Sequence, residues 1–218
     1  KTMAEMEELA KKLHNPPQMY GIVYRGLKNA NAATWDGMLF NFGGDFLTKD
    51  GKANLTSKEA VATTEYYARL LRNYGPPGVV QFNWYECSSA FSQGQIAMYY
   101  DGVNFANILE DKEKAKTAGK VGYVIFPKGP GGQWAATFTP GMAISRLSRN
   151  KEAAWYFVQW STSKKNYVRQ LVAGVGVPRV SAWSAPEVQA KRKYPQDWYE
   201  AYLESLKVGR LGVPEIVG

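Results

Sequence analysis

Residues 84–100, WYECSSAFSQGQIAMYY, decide the class of fold. The first ten residues of this stretch have the apolar spacing of a helix, and Gly94 ends it. Residues 95–100, which follow, are mostly apolar and aromatic, which predicts a strand. A helix that leads directly into a strand indicates an α/β fold.

The rest of the chain continues this alternation of helices and strands. Gly43-Gly44 and Gly174 are predicted to stop helices, and Pro195 interrupts the last one. Outside residues 84–100, periodicity and capping signals predict helices over residues 3–13, 35–42, 56–74, 104–109, 150–160, 163–172 and 186–209, and strands over residues 19–24, 121–126 and 141–144.

The sequence predicts both the start and the buried face of the helix over residues 56–74. Thr56 and Glu59 have the spacing of a capping box. Gly75, followed by two prolines, is expected to end the helix. Helical spacing predicts that four residues point inward: Val61, Thr64, Ala68 and Leu71.

The charge of the chain does not indicate a nucleic-acid partner. The chain has 218 residues and a net charge of +8, but its Lys and Arg residues are scattered. The tightest basic cluster is Lys191-Arg192-Lys193. Because nucleic-acid binding requires a concentrated basic face, we expect no nucleic-acid partner.

Few residues are available for catalysis or metal binding. The chain has one cysteine, Cys87, which we expect to be buried as a small apolar residue, and one histidine, His14. This leaves few candidates for a Ser–His, Cys–His or zinc site, and we expect no cofactor, no metal and no enzymatic activity. The alternative to a protein without enzymatic activity is a glycosidase, which needs two opposed carboxylates. The candidates are Asp36, Glu86 and Asp101.

Four stretches of the sequence have a combined pattern that is found in a known family. They are GIVYRG at 21–26 running on to Gly43-Gly44, WYE and AFSQGQIAM within 84–98, PGMAIS through SRNKEAAWYF to WSTS at 140–163, and the run from Gly174 to Ser181. Together they resemble the extracellular solute-binding proteins of sugar-type ABC importers, the maltose-binding-like group. Arg25 with Trp84, Glu86 and Asp101 is similar to the sugar-alcohol branch. One departure is Pro140, which stands where the family usually has a tryptophan.

The resemblance implies a periplasmic-binding-protein-like α/β fold, most of it the second lobe. Residues 1–130 would form that lobe, residues 131–175 would return to the first lobe, and residues 176–218 would rejoin the second. Family members are longer, so the resemblance also implies that the remainder of the chain, or a second copy, covers an apolar surface. We therefore expect one or more of these residues to be poorly covered by this chain: Trp155, Phe157, Val158, Trp160, Leu171 or Val172.

The resemblance further implies capture of a sugar or polyol in a periplasmic or extracellular location, and delivery to the membrane permease subunits of an ABC importer. Tyr24 or Trp84 would stack on the ligand, although either could instead belong to the core. Arg25 and Glu86 could instead form a surface salt bridge. The residues implied to bind ligand, by stacking or by pairing with hydroxyl groups, are Tyr24, Arg25, Trp84, Glu86, Asp101, Asn104, Pro140, Gly141 and Arg179.

Overall fold

The computed structural model describes residues 1–138 and 141–212. Two three-residue strands pair in parallel, with Ala135 opposite Gly209. The α-helices and strands are Met3–Leu13 (α1), Ala32–Asn41 (α2), Lys58–Tyr74 (α3), Trp84–Ser92 (α4), Ala106–Leu109 (α5), Ala135–Thr137 (β1), Lys151–Ser161 (α6), Lys164–Val172 (α7), Val180–Trp183 (α8), Pro186–Ala190 (α9), Gln196–Lys207 (α10) and Gly209–Leu211 (β2), with 3-10 helices at Val79–Gln81 and Val103–Phe105.

The predicted strands at residues 19–24 and 95–100 are extended and lie side by side. The Val23 amide donates to the Met98 carbonyl at 2.9 Å, and the Tyr100 amide donates to the Val23 carbonyl at 3.1 Å. The pairing is parallel and consists of isolated bridges rather than a continuous ladder. Because parallel neighbours require a crossover connection, helices lie between these segments in the sequence, which agrees with the predicted α/β class.

Two predicted strands are wrong. Residues 121–126 have no regular strand pairing, because the Tyr123 amide donates to the Asp197 carboxylate at 2.9 Å instead of to a neighbouring backbone. Residues 141–144 are irregular and mostly exposed. The regular strands, β1 and β2, were not predicted, since three-residue segments are too short to show an alternating pattern.

Several helices end at the glycines that the sequence singled out. Gly43 follows α2 after one capping residue with φ 86°, and Gly174 follows α7 with φ 84°. A residue with a Cβ rarely adopts this left-handed conformation, so glycine is favoured at both positions. Gly75 caps α3. These three helix stops are confirmed.

The cap of helix α3 lies one residue later than predicted, and of the four residues predicted to point inward only Leu71 is buried. Ser57, rather than Thr56, caps the helix, and its hydroxyl accepts from the Ala60 amide at 3.3 Å. Val61 is 47% exposed. The tyrosines of α3 can be buried because their hydroxyls find partners: Tyr66 donates to the Met3 carbonyl at 2.7 Å. The buried residues are Ala60, Thr63, Tyr66, Tyr67, Leu70 and Leu71.

Buried side chains form two clusters. The first joins α1, α3 and the segments around residues 22–24 and 96, and it includes Cys87, as expected. The second centres on Trp183 and Trp198 and includes Leu171 of α7. Leu171 belongs to the segment that the resemblance assigns to the first lobe, yet it packs with residues 177–199. The three-part division of the chain stays a prediction.

Helix α6 has no buried residue. Its aromatic side chains are more than half exposed, with Trp155 at 53%, Phe157 at 55% and Trp160 at 58%. The prediction of poor cover is therefore confirmed for these residues. Leu171, in contrast, is completely buried against the second cluster.

Candidate ligand-binding cleft

A large cleft of about 2210 Å³ contains most of the predicted site residues. Arg25, Trp84, Asp101, Asn104 and Gly141 all line it. Tyr167 and Gln170 of α7 and Tyr202 of α10 also line it. The cleft is thus built from elements that are far apart in the sequence.

Arg25 and Asp101 form a two-point ion pair in this cleft. The Arg25 Nε donates to Asp101 Oδ2 and its Nη2 donates to Oδ1, both at 2.7 Å. The Asp101 side chain is only 3% exposed, whereas that of Arg25 is 17% exposed. Burial alone lowers the pKa of Arg25, but the hydrogen bond and charge of Asp101 outweigh it, so the pKa is raised. Arg25 therefore pairs with Asp101 and not with Glu86.

Two further donors hold the Asp101 carboxylate. The Tyr99 hydroxyl donates to Oδ2 at 3.2 Å, and the Gly102 amide donates to Oδ1 at 2.7 Å. Burial, together with the Asp101 charge, raises the pKa of Tyr99 well above its ordinary value, so its hydroxyl stays a proton donor.

An aromatic pair lies beside this ion pair. The Trp84 and Phe105 rings stack with their centroids 5.4 Å apart and an interplanar angle of 8°. The Arg25 guanidinium carbon lies 5.9 Å from the centroid of Phe105. Trp84 remains 38% exposed, so part of this residue is available to a ligand in the cleft. Arg25 and its N–H donors line the same cleft.

The structure corrects the expected roles of Tyr24 and Glu86. Tyr24 is completely buried, and its hydroxyl donates to the Tyr67 carbonyl at 2.7 Å, so it belongs to the core rather than to a stacking surface. Glu86 is exposed and does not line the cleft. Its carboxylate accepts from the Asn83 amide at 2.9 Å and completes the capping box that starts α4.

The remaining predicted site residues have different positions. Arg179 is exposed beside α8 and does not line the cleft, although its guanidinium carbon lies 5.8 Å from the ring centroid of Tyr167, which does. Asn104 and Gly141 line the cleft and are exposed. Pro140 lies outside the described residues.

Sequence reasoning missed Tyr99 and Phe105. A signal for Tyr99 was available, because residues two apart in an extended segment share a face, and Tyr99 is two residues before Asp101. Phe105 gives no such signal. It comes directly after Asn104 in the 3-10 helix that follows Asp101, and only the folded chain brings it against Trp84.

The three carboxylates considered for glycosidase chemistry are not arranged as an opposed pair across the cleft. Asp36 is 4% exposed, does not line the cleft and accepts from the Gly37 amide at 2.7 Å. Burial raises its pKa to about 6. Glu86 belongs to the capping box of α4, and Asp101 is paired with Arg25.

Within residues 1–138 and 141–212, no group of His, Cys, Asp and Glu residues is arranged to hold a metal. In the same part of the chain, no helix has the length and apolar character of a membrane span.

Residues 1–168 match the family model of the bacterial extracellular solute-binding proteins. The chain belongs to this family. The Mannitol-binding protein of Pseudomonas aeruginosa is 28% identical over 169 residues, which are 75% of this chain and 38% of that protein. The Erythritol/L-threitol-binding protein of Mycolicibacterium smegmatis is 29% identical over 164 residues, which are 72% of this chain and 34% of that protein.

A solved structure with a similar fold is the ABC transporter solute-binding protein of Agrobacterium radiobacter in complex with ribitol. Its TM-score is 0.83 at 31% identity, and the match covers 96% of this chain and 53% of that one. The predicted periplasmic-binding-protein-like α/β fold is confirmed, as is membership of an extracellular family. The chain spans about half the length of this solved protein and a smaller share of the two relatives.

Proposed function

We propose that this chain is part of an extracytoplasmic solute-binding protein that captures a sugar or polyol and delivers it to the permease subunits of an ABC importer. The observation that carries the proposal is the convergence of Arg25, Asp101 and Trp84 on one cleft. The two relatives are named for binding mannitol and erythritol or L-threitol, and the solved structure contains ribitol. These compounds support a polyol in particular.

The chemistry of the cleft suits a neutral ligand with many hydroxyl groups. The partly exposed Arg25 guanidinium offers N–H donors, and hydrogen bonds to a charged group contribute about 1.5–3 kcal/mol. The exposed part of Trp84 offers an apolar surface for the C–H groups of the ligand. The charge of Arg25 is already compensated by Asp101, so the site does not require an anionic ligand.

We propose that the protein binds its ligand without catalysis. A glycosidase requires an acid and a second carboxylate that face each other across the scissile bond. Of the three carboxylates considered, Asp36 and Glu86 do not line the cleft, and Asp101 is held in an ion pair. These positions favour binding over hydrolysis.

The proposal includes a further part of the same protein that covers α6. The aromatic side chains of α6 are exposed here, and large exposed apolar surfaces usually mark contact sites. The solved relative is about twice as long as this chain, which leaves enough residues for a second lobe. A second copy of the protein is the alternative occupant.

The test is a thermal-shift screen of the full-length protein with D-mannitol, ribitol, erythritol and maltose. A ligand that binds only the folded state, present at 100 times its Kd, adds about 2.7 kcal/mol of stability and raises the Tm. We expect at least one polyol to raise the Tm, and Trp84→Ala to weaken that effect. If none of the four compounds raises the Tm, the proposed ligand class is wrong. Release of glucose from maltose would show that the protein is an enzyme.

A further inference from the structure

The acceptor positions of the Asp101 carboxylate are all occupied within the protein. A carboxylate has about four lone-pair positions. Asp101 receives four donors: Nε and Nη2 of Arg25 at 2.7 Å each, the Tyr99 hydroxyl at 3.2 Å and the Gly102 amide at 2.7 Å. With 3% of its side chain exposed, Asp101 has no free lone pair and almost no accessible surface for a ligand hydroxyl.

Arg25 has the opposite properties. A guanidinium has five N–H groups, and Asp101 takes one from Nε and one from Nη2. The Nη1 group has no hydrogen-bond partner among residues 1–138 and 141–212. The Arg25 side chain is 17% exposed and lines the cleft. Its remaining N–H groups are therefore the polar groups that a ligand meets at this point.

We propose that Asp101 is a positioning residue that does not contact the ligand and that fixes Arg25, which does; this inference rests on the proposed function. The two-point pair sets the plane of the guanidinium, because a planar fork bound to both carboxylate oxygens has one orientation. Phe105 lies beside the guanidinium and Tyr99 fixes the carboxylate from another side. The ligand then binds donors that are already ordered, which reduces the entropy lost on binding.

The proposal assigns a chemistry to this part of the cleft. Arg25 only donates hydrogen bonds, and no acceptor of Asp101 remains. The matching ligand group is therefore an oxygen that accepts, such as the hydroxyl oxygens of a polyol. A direct role for Asp101 would instead require a ligand hydroxyl that donates to its carboxylate.

A double-mutant cycle in the full-length protein separates the two roles. Calorimetry with D-mannitol and ribitol measures the affinity of the wild type, Asp101→Asn, Arg25→Met and the double variant. We expect Asp101→Asn to weaken binding about tenfold in the wild type and less than about twofold in the Arg25→Met background, because residues that act as one unit are not additive. Asp50→Asn, at an exposed ion pair with Lys52, is the matched control and is expected to bind like the wild type.

Each remaining outcome decides a different claim. A tenfold loss from Asp101→Asn that persists in the Arg25→Met background would overturn the positioning role while leaving the proposed function intact. If Asp101→Asn fails to fold, Tyr99→Phe replaces it, with an expected loss of about threefold in the wild type and none with Arg25→Met.

A ligand-free measurement covers the case in which neither polyol binds, which would contradict the proposed polyol ligand. In NMR spectra of the wild type, the Arg25 Nε–H is expected to exchange slowly with solvent, because it donates to a buried carboxylate. Asp101→Asn should make this exchange fast. Fast exchange already in the wild type would overturn the positioning role by itself.

Discussion

At the scale of single residues, Asp36 is a buried carboxylate that does not line the cleft. Asp36 lies in α2 and is 4% exposed. Burial raises its pKa from 3.8 to about 6, against the opposing effects of the Gly37 amide and the Arg25 charge. The folded state therefore holds a proton between about pH 4 and 6 that the unfolded state has lost. Stability falls as the pH rises through this window, and the loss is complete above it.

This sign leads to a prediction for Asp36→Asn. Asparagine resembles the protonated acid, so the variant is expected to be more stable than the wild type at pH 7 by up to about 3 kcal/mol, at 1.36 kcal/mol per unit of pKa shift. The difference should decrease towards zero at pH 4. Urea unfolding at pH 4, 5, 6 and 7 measures it, with the exposed Asp50→Asn as control. A difference that is the same at every pH would contradict the raised pKa.

At the scale of elements, Glu86 has a structural role at the start of α4. Its carboxylate accepts from the Asn83 amide, and the Asn83 side chain caps the same turn. Glutamine can take the same place in a capping box. We therefore expect Glu86→Gln to leave both stability and polyol affinity nearly unchanged, whereas Glu86→Ala lowers the free energy of unfolding by about 0.3–1.5 kcal/mol. Urea unfolding and calorimetry measure the two effects. A large loss of affinity in Glu86→Gln would restore its role as a ligand residue.

The helices could be predicted from the sequence better than their buried faces or the strands. Glycines such as Gly43 and Gly174 mark helix ends through their backbone conformation, a local property. The buried face of α3 depends on tertiary partners. Tyr66 and Tyr67 are buried because their hydroxyls donate to carbonyls of Met3 and Arg25. Hydrophobic spacing alone favoured Val61. Its side chain has no hydroxyl that needs a partner, and the residue is 47% exposed.

At the scale of the whole molecule, the candidate site was predictable in part. The resemblance named Arg25, Trp84 and Asp101, and the structure brings all three to one cleft. It did not indicate that Asp101 would be nearly inaccessible. The burial of its side chain and the filling of its acceptor positions depend on Tyr99 and on the path of the backbone after residue 101. Residue types at element ends therefore indicate where a site forms, whereas the role of each side chain depends on its partners in the fold.

The exposed face of α6 gives a direct test for the missing cover. If another part of the same protein packs on this helix, Trp160 is buried in the full-length protein, and Trp160→Ala should lower its free energy of unfolding by about 3–5 kcal/mol. In the 218-residue chain, where Trp160 is 58% exposed, the same change should cost less than about 0.5 kcal/mol. Trp183→Ala is the matched control, since Trp183 is 2% exposed here and should be costly in both proteins.

Urea unfolding of both proteins at two protein concentrations completes this test. A small effect of Trp160→Ala in the full-length protein would show that nothing covers α6 there, which contradicts the proposed second lobe. A large effect that grows with protein concentration would instead identify a second copy as the cover, because the stability of an oligomer depends on the concentration of its subunits. Only a large effect that is independent of concentration supports cover by the same chain.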